Sequence, residues 1–255
     1  MLQERRGQIV EKVRQFRMVK VSDLIKEYDV SIETIRRDLE YLEQKGYLKR
    51  VYGGAVLYGL YGEEPSYEHR EIVHFEEKKT IARKAAELIE DGDTLFIEVG
   101  TTVLEAIYCL RSKRNLTIIT NATSVAREMI QTDGNRVILL GGELRTGEQS
   151  VYGFLTEQNL QHFYANKLLM GVGGLSIKNG FTDYHIQEAN IRRMMIERSD
   201  KVIALADYSK FEVTAMNHVC PLSDVDVLVT DSSAPEKIIQ ELRAGGMTVL
   251  VAEST

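Results

Sequence analysis

The chain has 255 residues, 44% hydrophobic and 27% charged, an ordinary soluble globular composition with room for one large core or for a small and a medium one. No apolar run reaches the length of a membrane span, and the charged amphipathic start MLQERRGQIVEKV is no signal peptide. Cys109 and Cys220 show no CxxC spacing, which fits a cytoplasmic chain with reduced thiols. A net charge of −6 by itself speaks against nucleic acid, but residues 1–55 hold 12 Lys and Arg against 9 Asp and Glu, a local +3, while the remainder is −9. A basic head on an acidic body suits a chain in which only the head meets phosphate.

Residues 2–16 read as a first helix, with Leu2, Ile9, Val13 and Phe16 on one side, and residues 21–28 as a second, with Val21, Leu24, Ile25 and Tyr28 inward. Asp29-Val30 turns the chain into a third helix capped by Ser31, in which Ile32, Ile35, Leu39 and Leu42 form an apolar stripe that reads as core. Its other face begins with Glu33, Thr34, Arg36 and Arg37. That polar, cationic front lies at the helix end that reaches base edges when a recognition helix enters a major groove. Gly46 is a natural helix stop. Tyr47 to Val51 then reads as a short strand carrying Lys49 and Arg50, turned back at Gly53-Gly54. A helical triplet followed by a basic hairpin is the plan of a winged helix-turn-helix, although three amphipathic helices alone also fit a small bundle that binds nothing.

Residues 56–65 lose periodicity and read as a linker. Ser66 caps a predicted helix running to about Ile89, broken or bent near His74–Glu77, with a charged early part expected to face solvent and Ile81, Ala85, Leu88 and Ile89 inward. From Asp93 strands and helices alternate. Strands are predicted at 94–99, 116–120, 136–141, 167–172, 201–206, 225–230 and 247–252, with helices from about 103, to about 130, over 188–198 and over 235–243. Val-, Ile- and Leu-rich strands separated by helices imply a mostly parallel sheet covered on both faces. The expected architecture is therefore α/β: a winged helix-turn-helix over 1–57, a linker and the start of a connecting helix over 58–75, and an α/β body over 76–255.

In such sheets ligands bind at the carboxyl ends of the strands. Glu98-Val99-Gly100-Thr101-Thr102 is the most telling end, since glycine admits close backbone approach, the hydroxyls donate, and a helix N-terminus favours an anion. Thr120-Asn121 and Gly141-Gly142 repeat the theme. Three such turns on one edge point to a phosphate-bearing small molecule over simple strand–helix turns. Asp183, Glu188 and Lys210 are candidates for the far side of that pocket, although Glu188 at a helix start is also favoured by the helix dipole alone. The five histidines show no HExxH spacing, and His185-x-x-Glu188 is a weak ligand pair, so no metal and no cofactor are expected.

The run TIRRDLEYLEQKGYLKRVYGGA resembles the N-terminal signature of the DeoR family of bacterial transcription regulators, through Thr34, Arg36, Arg37, Asp38, Leu39, Leu42, Gly46, Leu48, Arg50, Gly53, Gly54 and Ala55. The family usually has His where this chain has Tyr52. GDTLFIEVGTT, ITNA, LLGGELR, GVGGLS, GFTDYHIQEANIRRMMIERS and ALADYSKF are similar to the family's C-terminal sensor domain, which is related to the fold of ribose-5-phosphate isomerase and glucosamine-6-phosphate deaminase. The resemblance implies a repressor of carbohydrate-metabolism genes, acting as a dimer or tetramer on double-stranded operator DNA and answering to a phosphorylated sugar. On that reading Ser31, Glu33, Thr34, Arg36, Arg37, Lys49, Arg50 and Tyr52 face DNA. Glu98, Gly100, Thr101, Thr102, Thr120, Asn121, Gly141, Gly142, Gly173, Asp183, Glu188 and Lys210 line the effector site. The isomerase carries an Asp-Gly-Ala-Asp turn where this chain has Met170-Gly171-Val172-Gly173-Gly174. Without a carboxylate there, proton abstraction lacks its usual base, so a regulator is expected over the rival, an isomerase or deaminase with a regulatory head. A head that only docks proteins is the third reading, and it predicts no salt-dependent DNA binding.

Overall fold

A computed structural model describes residues 2–16, 18–44, 47–57 and 64–253, and the chain divides into two compact units, 1–73 and 74–255. Gly46 and most of the expected linker, 58–63, lie outside the described residues, as does the side chain of Leu2.

Unit 1 opens with α1 (Leu2–Phe16), β1 (Met18–Lys20), α2 (Val21–Tyr28) and α3 (Ile32–Gln44), followed by the hairpin β2 (Leu48–Val51) and β3 (Gly54–Leu57). β3 is the centre of an antiparallel sheet ordered β1-β3-β2, pairing Val19 with Ala55 and Lys49 with Val56. The strand β1 was not foreseen. It is three residues long and exists only because the hairpin folds back onto it. That return explains Gly54, where a Cβ would stand 2.2 Å from the Val19 carbonyl oxygen. Ile9, Val13, Leu24, Ile35, Leu39, Leu42 and Leu48 close the core. Two residues expected in it are outside: Phe16 is 60% exposed and Ile32 is 38% exposed. Ile32 is the first residue of α3, so its side chain stands beyond the last layer the helix can bury. Asp38 takes a place in the core instead, held by the Nε atoms of Arg5 and Arg6, each at 2.7 Å, which ties α1 to α3. A short helix, α4 (Tyr67–Ile72), capped by Ser66 Oγ accepting from the His69 amide, completes the unit.

Unit 2 begins with α5 (Phe75–Ala86), set off from α4 by His74, whose φ of 55° ends any continuous helix. The early turns of α5 are not wholly solvated as expected, since Lys78 is buried. Then come β4 (Thr94–Ile97), α6 (Thr101–Cys109), β5 (Thr117–Thr120), α7 (Thr123–Met129), β6 (Arg136–Leu139), the hairpin β7 (Glu143–Arg145) and β8 (Ser150–Tyr152), and α8 (Phe154–Leu160). The chain continues through β9 (Ala165–Gly171), β10 (Gly174–Ser176), β11 (Gly180–Asp183), α9 (Ile186–Glu197), β12 (Ser199–Leu205), β13 (Asn217–Cys220), β14 (Val227–Asp231), α10 (Glu236–Ala244) and β15 (Thr248–Ala252). Seven strands, in the order β15-β14-β12-β9-β4-β5-β6, make one sheet in which every neighbouring pair is parallel. These are the seven apolar runs of the sequence. β10, β11 and β13 form a separate antiparallel sheet. Among the described residues no helix is long and apolar enough to cross a membrane.

Candidate nucleic-acid interface and effector site

In unit 1 the N-terminus of α3 is fixed locally. Ser31 Oγ accepts from the Thr34 amide at 3.2 Å and lies 3.0 Å from the Thr34 hydroxyl, while the Ser31 carbonyl accepts from the Ile35 amide. Glu33, Arg36 and Arg37 are exposed on the front of the helix. Across from them the hairpin turn holds up Tyr52, fully exposed, and a groove runs between the two, lined by Lys20, Ile32, Arg36, Val51 and Tyr52. Lys49 is half-buried on β2. Arg50 is committed to α3, its Nε donating to Glu43 Oε2 at 2.6 Å and its amide to Glu43 Oε1 at 2.7 Å. The wing is thus braced against the helix through the same residue that was expected to face DNA.

In unit 2 the strand order reverses between β4 and β9, which makes their carboxyl ends the switch point of the sheet. Glu98 follows β4 and is fully buried, with Oε2 accepting from the Gly171 amide at the end of β9. Its other oxygen accepts from Arg192 Nη2 of α9, and Arg192 Nη1 donates to Asp183 Oδ2 at 2.6 Å. A Cβ on Gly173 would lie 2.8 Å from the Thr182 carbonyl oxygen, so only glycine lets β9 leave the sheet beside Asp183. One arginine therefore gathers two of the expected carboxylates. A second arginine takes the third: Arg145 Nη1 donates to Glu188 Oε2, and Ser150 Oγ donates to Glu188 Oε1, both at 2.7 Å. The hairpin β7–β8 that supplies Arg145 and Ser150 is fastened over the end of β5, where Val151 N donates to Asn121 O and Asn121 Nδ2 donates to Val151 O.

Gly100 is the N-cap of α6 and gives its first turn no side-chain acceptor, and Thr101 and Thr102 are buried there. Thr120 is occupied by its own loop, donating to the Ile97 carbonyl at 2.6 Å and accepting from the Ala122 amide at 3.0 Å. Gly141 accepts from Thr156 Oγ1 through its carbonyl, and a Cβ on Gly142, at φ 153°, would meet that hydroxyl oxygen at 2.0 Å. Lys210 belongs to a different group. It closes the turn Tyr208–Lys210 after β12, whose buried cap Asp207 feels Lys210, His74 and Lys78. Burial alone would raise the Asp207 carboxyl, but Lys210, His74, the hydrogen bonds from Ser209 and Lys78 hold it below the usual range. Among the described residues no three His, Cys, Asp or Glu side chains converge to hold a metal ion.

The sequence reading found the carboxylates but not their partners, Arg145, Ser150 and Arg192. A signal existed for Arg192, which stands on the face of α9 shared with the buried Glu188, Met195 and Ile196. A cation at helical spacing among buried positions needs a buried anion. Arg145 and Ser150 carried none, because their hairpin is seen only once it has folded over the sheet. Among the described residues three polar atoms in this region, Asn121 Oδ1, His185 Nδ1 and Arg192 Nε, are buried without a hydrogen-bond partner.

Burial pushes the Glu98 carboxyl from 4.5 up to about 7, with Asp183 and Glu188 adding to the rise and Arg192 opposing it. An acid raised on folding binds its proton more tightly in the folded state. Its stabilising contribution is therefore present below pH 4.5 and is lost as pH rises through 7. Between pH 5 and 8 the wild type should lose unfolding free energy relative to Glu98→Gln, on the order of 3 kcal/mol at about 1.4 kcal/mol per pKa unit, and its melting temperature should fall accordingly. The chain has no tryptophan, so circular dichroism is the suitable readout. Parallel melting curves for the two proteins across that range would refute the assignment.

Residues 5–58 match a family model described as a DeoR-like helix-turn-helix domain, and residues 73–232 match the DeoR C terminal sensor domain. The chain is 34% identical over 239 residues to the glycerol-3-phosphate regulon repressor of Escherichia coli strain K12, covering 94% of each. It is 33% identical over 257 residues to the HTH-type transcriptional repressor GlcR of Bacillus subtilis strain 168, covering 98% of this chain and 96% of that one. Among solved structures, ribose 5 phosphate isomerase A from Neisseria gonorrhoeae aligns with a TM-score of 0.39 at 16% identity, over 54% of this chain and 53% of the isomerase.

Proposed function

The chain belongs to the DeoR family of transcription regulators, and we propose that its second unit senses a phosphorylated sugar which controls the hold of its first unit on operator DNA. It is a DNA-binding regulator of the repressor class and not an enzyme. The genes it governs belong, on this proposal, to carbohydrate metabolism, and the working form is a homo-oligomer, dimer or tetramer, on a symmetric operator. The DNA-facing set is Arg36 and Arg37 with Glu33, Thr34, Tyr52, Lys49, Arg50 and the Ser31 cap behind them.

The observation that carries the effector reading is the switch point between β4 and β9. There the α6 N-terminus, with no side-chain cap, opens beside a buried network of three carboxylates and two arginines. An uncapped helix start takes a phosphate. The unpartnered acceptor Asn121 Oδ1 and donor Arg192 Nε suit hydroxyl groups, which both give and accept hydrogen bonds. Gly100, Thr101 and Thr102 hold the phosphate and Lys210, from its group with Asp207, supplies the cation on this reading, while Glu98, Asp183 and Glu188, oriented by their arginines, form the sugar side.

The test is a thermal-shift series of phosphorylated sugars against their unphosphorylated parents. A specific binder raises the melting temperature with concentration, and its parent sugar does not. Thr101→Ala should weaken that binder roughly 2- to 12-fold, the worth of one hydrogen bond. Lys210→Ala should weaken it further, and both should leave operator binding in place. Because linkage is reciprocal, operator DNA must change the effector's affinity by the same factor the effector changes the operator's. Equal response to phosphorylated and plain sugars, or unchanged affinity in both variants, removes the phosphate-loop assignment.

A further inference from the structure

Ile32 departs from its sequence pattern at the start of α3. The helical spacing puts it on the core stripe with Ile35, Leu39 and Leu42, yet it alone of the four is exposed. It lines the groove between α3 and the wing, one turn ahead of Arg36 on the same helix face, with Lys20 and the exposed apolar side chains of Val51 and Tyr52 along the same groove. A single exposed apolar residue needs no explanation. Three of them interleaved with Lys20 and Arg36 in one concavity do. The cations select a polyanion, and the apolar groups offer that polyanion something besides phosphate to touch. Duplex DNA supplies such a feature in the major groove, the thymine C5-methyl, which is read by apolar side chains.

We propose that Ile32 is a specificity-determining residue that reads a thymine methyl group in the major groove. The proposal rests on α3 being the recognition helix. The geometry favours position 32 for this task. The N-terminal residues of a recognition helix are the ones that reach base edges. The Ser31 cap fixes the backbone just before Ile32, and the β-branched side chain has little rotameric freedom to lose on contact. Arg36 on the following turn is placed to read a neighbouring base, so the two side chains would specify an apolar and a polar feature side by side.

The experiment uses the full-length protein and a duplex enriched by it from a random pool. Each thymine of that duplex is replaced in turn by deoxyuridine, which differs only in lacking the methyl. Affinity is read by fluorescence anisotropy at fixed salt. At one thymine or more, the wild type should lose about fourfold, the worth of one buried methyl. Ile32→Ala should bind the thymine duplex more weakly by a similar factor and show no further loss on the deoxyuridine duplex. Ile32→Val, which keeps the branched contact, should retain part of the discrimination. If the wild type tolerates deoxyuridine at every position, or if Ile32→Ala keeps the full deoxyuridine penalty, the assignment of Ile32 is overturned. Absence of salt-dependent binding to any enriched duplex would instead overturn the recognition-helix reading beneath it. Ile32 is partly exposed and adds little to the core, so a dichroism melt serves as the check that each variant folds as the wild type does.

Discussion

Replacing Arg192 by methionine is expected to destabilise unit 2 by about 3–5 kcal/mol, the usual cost of removing one partner from a buried ion pair. Arg192 is 4% exposed and its two Nη groups neutralise Glu98, which is 0% exposed, and Asp183, at 4%. Without it, two carboxylates stay buried close together with no cation between them. They must then either take up protons or draw water into the sheet edge, and each route costs folding free energy. Burial works against the charge on Arg192, but Glu98 and Asp183 outweigh it and hold the guanidinium charged at any pH of interest. Because the Glu98 carboxyl is raised to about 7, the loss should be larger at pH 8 than at pH 6.5.

The mechanism has a second consequence that separates it from simple loss of packing. Adding Glu98→Gln to Arg192→Met removes one of the stranded charges and should restore part of the stability, a coupling of roughly 0.5–3 kcal/mol in the double-mutant cycle. Methionine keeps most of the volume of the arginine stem, so a packing explanation predicts no such rescue. Chemical denaturation followed by dichroism measures both arms. Additive losses in the cycle would show that Arg192 acts as filler and not as a charge bridge.

The parts of this fold that were legible in the sequence are those made by local pattern. All seven strands of the parallel sheet are rich in Val, Ile and Leu, as a sheet covered on both faces requires of its inner strands, and the edge strand β6 keeps the pattern although Arg136 and Leu139 are exposed. α1, α2 and α3 were legible for the same reason, through their 3.6-residue spacing. What escaped were strands of three or four residues, β1, β7, β8, β10, β11 and β13, whose ladders join segments brought together only by the rest of the fold. Residues 143–152 could be read as a loop until the hairpin is seen fastened to Asn121 and Glu188. The candidate site divides along the same line. The chemistry at strand ends, Glu98 and Gly100 to Thr102, announces itself next to a recognisable strand. The arginines that set its charge come from 145 and 192 and are joined to it only through tertiary structure. Ile32 shows the converse limit, since helical spacing names a face but does not say how many residues of that face the neighbours reach.

Arg36→Ala is expected to weaken operator binding roughly 5- to 150-fold and to relax preference at one base pair, as follows for an arginine that contacts a base edge at about 1–3 kcal/mol. Arg36 lines the groove between α3 and the wing and is exposed, and Arg37 beside it is exposed as well, so neither substitution disturbs the core. Arg37 lies about 100° further around the helix, on the flank that faces a phosphate backbone when the groove side meets bases. Its replacement by alanine should lower affinity almost uniformly across sequences and reduce the slope of log K against log salt by roughly 1. Arg50 offers a contrast within the same surface. Its ion pair with Glu43 braces the wing, so Arg50→Ala should act partly through the position of Tyr52 and alter specificity and affinity together. Fluorescence anisotropy across a salt titration, on the enriched duplex and on single-base variants of it, resolves these patterns. If Arg36→Ala and Arg37→Ala both hold the operator at wild-type affinity through the titration, α3 is not the recognition helix, and the contact surface has to be sought on the basic face of another helix of unit 1.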